Sequence, residues 1–74
     1  MLERKINRLK VVLAEKDKTN RWLAGQIGYT EGMVSRWVSN VKQPPLNVLY
    51  DISLLLKGDI RDLMESNAQV LNKK

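Results

Sequence analysis

Residues 19–40 read TNRWLAGQIGYTEGMVSRWVSN, two helix-length segments arranged around Gly28. Leu23 and Ile27 are four apart and share one face of a first helix, and Ala24 beside them is small enough to let a second helix approach. Gly28 follows where a left-handed helix end favours a residue without a side-chain carbon. Thr30 is then placed as an N-cap whose hydroxyl accepts from a free amide of the next helix. Tyr29 before that cap and Val34 four residues after it are spaced for a hydrophobic staple, which fixes the angle at which the second helix leaves the turn. A small residue at a crossing, a sharp turn and flanking apolar anchors are what a helix-turn-helix requires.

Turning the second helix by about 100° per residue puts Met33, Val34 and Trp37 on the side facing the first helix and Glu31, Gly32, Ser35 and Arg36 on the other. The free face is short, polar and close to the N-terminus. When such a helix lies in the major groove of DNA, that end meets the base edges. Arg36 is the strongest candidate for sequence choice, because a planar guanidinium matches the two acceptors of guanine. Glu31 can accept from cytosine, orient Arg36 or penalise wrong bases. Gly32 offers no hydrogen-bonding side chain and costs a helix about 1 kcal/mol relative to alanine, so few groups remain to read bases.

Composition narrows the alternatives. The chain of 74 residues is expected to form one small domain, residues 1–66, with a polar tail over 67–74. It contains no cysteine and no histidine. A disulfide framework, a thiolate metal site and the usual nucleophile and base pairs are therefore excluded, and neither enzymatic activity nor a metal or other cofactor is expected. No apolar run approaches the roughly 20 residues of a membrane span, and MLERKINRLK lacks the apolar core of a signal peptide, so a cytoplasmic protein is the expectation.

The net charge of +5 is uneven. Residues 1–45 carry Arg4, Lys5, Arg8, Lys10, Lys16, Lys18, Arg21, Arg36 and Lys42 against Glu3, Glu15, Asp17 and Glu31. Residues 46–74 are neutral, with Lys57, Arg61, Lys73 and Lys74 against Asp51, Asp59, Asp62 and Glu65. The whole excess accompanies the helix-turn-helix, and a phosphate backbone is the natural counter-charge.

The flanking segments also read as helical. Leu2, Ile6, Leu9 and Leu13 recur at helical spacing and predict an N-terminal helix packed on the Leu23, Ala24 and Ile27 face. After SNVKQPP, Pro45 suits the first turn of a fourth helix that turns Leu46, Leu49, Ile52 and Leu56 to the core, with Ser53 at a close approach. Gly58 ends it, Asp59 caps a short fifth helix, and Ile60, Leu63 and Met64 form its apolar face. From Ser66 onward the tail is polar apart from Val70 and Leu71 and is expected to fray. The expectation is all-α, five helices and no strand. Leu54 falls away from the core near Tyr50, and with Leu55 and Met64 these residues are candidates for a two-fold dimer contact.

From about Ile6 to Met64 the chain resembles Cro and phage-repressor type helix-turn-helix domains, the Xre-like family. The resemblance is carried by TNRWLAGQIG at 19–28, SRW at 35–37 and the QPPLNVLYDI run that opens the fourth helix. It implies a lambda-repressor-like five-helix bundle, commonly a homodimer, that binds double-stranded DNA and regulates transcription in bacteria or phages, with the 30–38 helix in the major groove. It implies base contacts from Glu31, Gly32, Ser35 and Arg36. It further implies phosphate contacts from Thr19, Asn20 and Arg21 at the first motif helix and from Thr30, Ser39, Asn40 and Lys42 across the groove. Val38 stands where the family usually has glutamate, Asn40 where it has glycine, and Asn20 where it has glutamine. Trp22 occupies a normally charged position and is expected to pack over the first helix. Small members without an effector domain also include antitoxins that bind and neutralise a toxin protein and repress their own operon, so a toxin partner is the alternative. RNA binding is disfavoured for want of an exposed aromatic stacking platform.

Overall fold

The computed structural model describes residues 5–68 and Leu71. Among the described residues, four α-helices follow one another, α1 (Leu9–Glu15), α2 (Asn20–Ile27), α3 (Glu31–Val38) and α4 (Leu46–Leu55), followed by a 3-10 turn, Ile60–Leu63. The expected fifth helix is therefore a four-residue 3-10 turn. Its start is well specified: the Asp59 carboxylate accepts from the Arg61 N–H at 2.8 Å, and the Asp62 carboxylate accepts from the Asp59 N–H at 3.3 Å. Hydrogen bonds from the Arg61 side chain and backbone hold the Asp59 carboxyl below its ordinary range. The turn stops because Met64 is drawn into an extended conformation by a pairing with Asn7.

That pairing also corrects the N-terminal helix, which begins at Leu9 and not upstream. Residues Ile6–Arg8 run antiparallel to Leu63–Glu65. Arg8 donates its N–H to the Leu63 carbonyl at 2.8 Å, and Glu65 donates to the Ile6 carbonyl at 2.7 Å. Ile6, expected in the core, is half exposed, while Leu2 lies outside the described residues. Asn7 is the cause: its side-chain oxygen accepts from the Leu9 N–H at 3.1 Å, taking a donor that would otherwise belong to a continuing helix.

One core joins all the elements. Leu9, Val12 and Leu13 of α1 meet Leu23 and Ala24 of α2, Val34 and Trp37 of α3, Val48, Leu49 and Ile52 of α4, and Leu56 and Leu63 beyond it. Leu49, Ile52, Leu56 and the close-packed Ser53 are buried as the periodicity predicts, but Leu46 is not and Val48 takes its place. Pro45 is the N-cap residue of α4 and not part of its first turn, so Leu46 opens the helix on its outer side, 73% exposed. Met64, placed on an apolar face by the pattern, sits on the surface at the extended pairing.

The helix ends explain much of the chain path. Gly28 closes α2 at φ 76°, as its position predicts. Asp17, Asn40 and Lys57 adopt the same left-handed conformation at φ 58°, 62° and 57° after α1, α3 and α4. In each case an amide beyond the helix reaches back to a carbonyl in its last turn: Lys18 to Leu13, Val41 to Arg36 and Gly58 to Ser53, at 2.8, 3.0 and 3.0 Å. Lys57, and not the neighbouring Gly58, thus carries the turn that ends α4.

Candidate nucleic-acid interface

The geometry of α2 and α3 follows from their caps. Thr19 accepts from the Trp22 N–H at 3.0 Å, and Thr30 from the Met33 N–H at 3.1 Å, so both helices start where the sequence places them. α3 packs on α2 and α1, with Val34 and Trp37 buried and Met33 half-buried. Tyr29 meets Trp37 edge to face with centroids 5.0 Å apart, so the ring before the cap is anchored on the indole. Trp22 packs partly against the core as expected, and its ring is covered by the Lys18 ammonium at 4.7 Å.

Glu31, Gly32, Ser35 and Arg36 all lie on the exposed side of α3. Among the described residues, no carboxylate comes within ion-pair distance of Arg36, Arg21 or Lys42. Glu31 stands in the first turn, where its charge favours the positive end of the helix whatever else it meets. A side-chain carbon added at Gly32 would meet no protein atom within 4 Å. Nothing in the protein requires a glycine there, and the absent side chain leaves a gap in the outer face of α3. Gly32→Ala is accordingly expected to raise stability by up to about 1 kcal/mol in thermal unfolding. A simultaneous loss of DNA affinity would mean that the α3 backbone itself is approached closely.

The residues that resemblance assigns to phosphate are divided by the structure. Arg21, Lys42, Thr19 and Thr30 are exposed and Asn20 is half-buried at the start of α2. Ser39 turns its hydroxyl back onto the carbonyls of Ser35 and Arg36, at 3.0 and 3.2 Å. Asn40 is committed inside the protein. Its Oδ1 accepts from the Ile6 N–H at 2.8 Å, the Asn7 N–H at 3.0 Å and Gln43 Nε2 at 3.0 Å, and its Nδ2 donates to the Asn7 carbonyl at 3.2 Å.

Periodicity does not reveal the cluster to which Asn40 belongs. Asn7 is 3% exposed and donates through Nδ2 to the Trp37 carbonyl at 2.8 Å and to Gln43 Oε1 at 2.7 Å. Three carboxamides, contributed by the N-terminal segment, the exit of α3 and the loop before α4, thus close on one another. The signal for it was Asn40, at a position where a left-handed turn favours glycine. Of the dimer candidates, Tyr50 and Leu54 are exposed, Met64 is partly so, and Leu55 packs partly against the core. Leu46 joins Tyr50 and Leu54 at intervals of four on the outer face of α4.

Elsewhere, an open groove of about 310 Å³ lies between α1, the end of α4 and the 3-10 turn, lined in part by Glu15, Lys16 and Lys57 and by no residue of α2 or α3. Among the described residues, no helix is long and apolar enough to cross a membrane, and no cluster of acidic groups is arranged to hold a metal.

Comparison with known proteins agrees with this geometry. The chain is similar over 81% of its length to a crystal structure of a "putative DNA-binding protein" from Bacteroides fragilis, at 53% sequence identity, covering 97% of that chain with a TM-score of 0.80. A comparison with curated proteins gave no match. The family model described as a Cro/C1-type HTH DNA-binding domain matches residues 8–69, which takes in every described helix and the 3-10 turn. The chain therefore belongs to the Cro/C1-type helix-turn-helix DNA-binding domains.

Proposed function

We propose that this protein is a sequence-specific transcriptional regulator that lays α3 in the major groove of operator DNA. The observation that carries the reading is the outer face of α3, where Glu31, Gly32, Ser35 and Arg36 are presented together by a capped turn within the half of the chain that holds the whole excess of positive charge. Arg36 reads guanine, Ser35 and Glu31 tune neighbouring positions, and Gly32 lets the backbone come close. Thr19, Asn20 and Arg21 hold one phosphate strand, with Thr30 and Lys42 on the other side, while the Ser39 donors are taken by the carbonyls of Ser35 and Arg36. Asn40 is removed from that set, because its side-chain groups are already engaged.

With so few base-reading groups on one helix, a single copy has modest specificity. Binding as a homodimer doubles the number of base pairs read and sets the spacing of two half-sites. The exposed face of α4, with Leu46, Tyr50 and Leu54, supports such a contact, and the neutral charge of residues 46–74 leaves it unopposed by repulsion.

Selection of bound fragments from random duplex DNA at moderate salt tests the proposal. An enriched site with two-fold symmetry is the expected result. On that site, Arg36→Ala is expected to weaken binding by about 1–3 kcal/mol and to relax preference at one base pair. Unchanged affinity and preference in titrations of the variant would show that the reading face lies elsewhere.

A further inference from the structure

The N-terminal segment is held on both edges, and the second edge brings it to the exit of the reading helix. Along one side, Ile6 and Arg8 exchange backbone hydrogen bonds with Glu65 and Leu63. Along the other, the Asn40 carboxamide acts as a peptide group would: it accepts from the Asn7 N–H and donates to the Asn7 carbonyl, while also receiving the Ile6 N–H. Lys5 is exposed and directly precedes Ile6, whose N–H is held by Asn40, two residues before Lys42. The left-handed conformation of Asn40 aims the chain out of α3 and its side chain back towards the N-terminal segment.

We propose that Lys5 and Lys42 form a composite clamp for a DNA phosphate at the end of α3, assembled from opposite parts of the sequence by Asn40. Lys5 is a contact residue in this arrangement, and Asn40 is a positioning residue. The inference rests on the DNA-binding reading given above. Sequence alone would leave Lys5 solvated beside a helix, because it falls outside the Leu2, Ile6, Leu9 and Leu13 stripe. The extended backbone at Ile6 and its bond to Asn40 remove that reading.

The test is a double-mutant cycle in the full chain, with affinity for a duplex of mixed sequence followed over a range of salt concentrations. Lys5→Ala is expected to lower affinity several-fold at low salt and to reduce the slope of log affinity against log salt by about 0.9, one phosphate contact. Lys57→Gly removes one positive charge from the groove beside α1 and suits the left-handed backbone at that position, so it controls for net charge. It is expected to leave the slope unchanged.

Asn40→Gly also keeps the left-handed turn while releasing the N-terminal segment from the carboxamide. The pairing with Leu63 and Glu65 remains in that variant, and Lys5→Ala is expected to have a smaller effect there than in the wild-type protein. If the wild-type protein binds DNA and Lys42→Ala flattens the slope but Lys5→Ala does not, the clamp is overturned. Equal Lys5→Ala effects with and without Asn40 would overturn the positioning role. Absence of binding by the wild-type protein would instead defeat the DNA-binding reading itself. Those three failures are distinct.

Discussion

Trp37→Ala is expected to remove a large part of the protein's stability. Trp37 is 1% exposed and lies in the core cluster that joins all four helices. Truncating a buried aromatic to alanine costs about 3–5 kcal/mol, since the neighbouring groups relax only partly into the space. A domain of this size has a total stability of about 5–10 kcal/mol, so the loss removes a large part of it. The effect also reaches the interface, because the same indole supports Tyr29 in the turn and its backbone carbonyl receives the Asn7 side chain. Chemical denaturation followed by circular dichroism, or by the remaining Trp22, measures the change.

Trp37→Phe provides the contrast. The Trp37 Nε1–H is buried with no hydrogen-bond partner among the described residues. An unmet buried donor costs about 1–3 kcal/mol, and phenylalanine removes that cost while leaving a smaller cavity. The phenylalanine variant should therefore lose far less stability than the alanine variant. Equal losses would mean that neither the retained ring volume nor relief of the unpaired N–H governs the site.

The turn between α2 and α3 was legible in the sequence because its determinants are local. Thr19, Gly28 and Thr30 act on amides and dihedrals within three or four residues of themselves, and each performs the expected role. The exposed side of α3 follows from those caps plus helical angle alone. The N-terminal segment was not legible, because an apolar stripe at helical spacing is outcompeted there by contacts separated by thirty residues or more. Asn7 bonds to the exit of α3 and pairs with Met64, and neither partner can be read from spacing near residue 7. Leu46 misled for a related reason. Periodicity gives the face of a residue only once the helix start is known, and α4 begins one residue later than a proline in its first turn implies. The same distinction divides the phosphate candidates: Lys42 is exposed, as its position after α3 suggested, whereas Asn40 was drawn inward by distant partners.

Asn7→Ala is expected to cost about 3 kcal/mol, more than any other polar truncation outside the helix caps. The side chain satisfies the Leu9 N–H at the start of α1, the Trp37 carbonyl in the last turn of α3 and Gln43 Oε1 in the following loop. Leu9 is fully buried, so water does not readily replace its partner. The bonds of the Asn7 backbone to the Asn40 side chain survive the substitution, so the loss belongs to the Asn7 side chain and not to detachment of the segment. Gln43→Ala removes a peripheral member of the cluster and should cost about 1 kcal/mol, an ordinary net hydrogen bond. Asn7→Asp keeps the acceptor for Leu9 but turns a carboxylate towards the Trp37 carbonyl and Gln43 Oε1, which disfavours the charged form. Its folded-state pKa then lies above the unfolded value, and the variant should gain stability as pH falls through that raised pKa. The wild-type protein has no ionisable group at this position. Urea midpoints for the three variants, with Asn7→Asp measured across the acidic range, decide the matter. Equal costs for Asn7→Ala and Gln43→Ala would show that the Asn7 carboxamide does not anchor the end of α3.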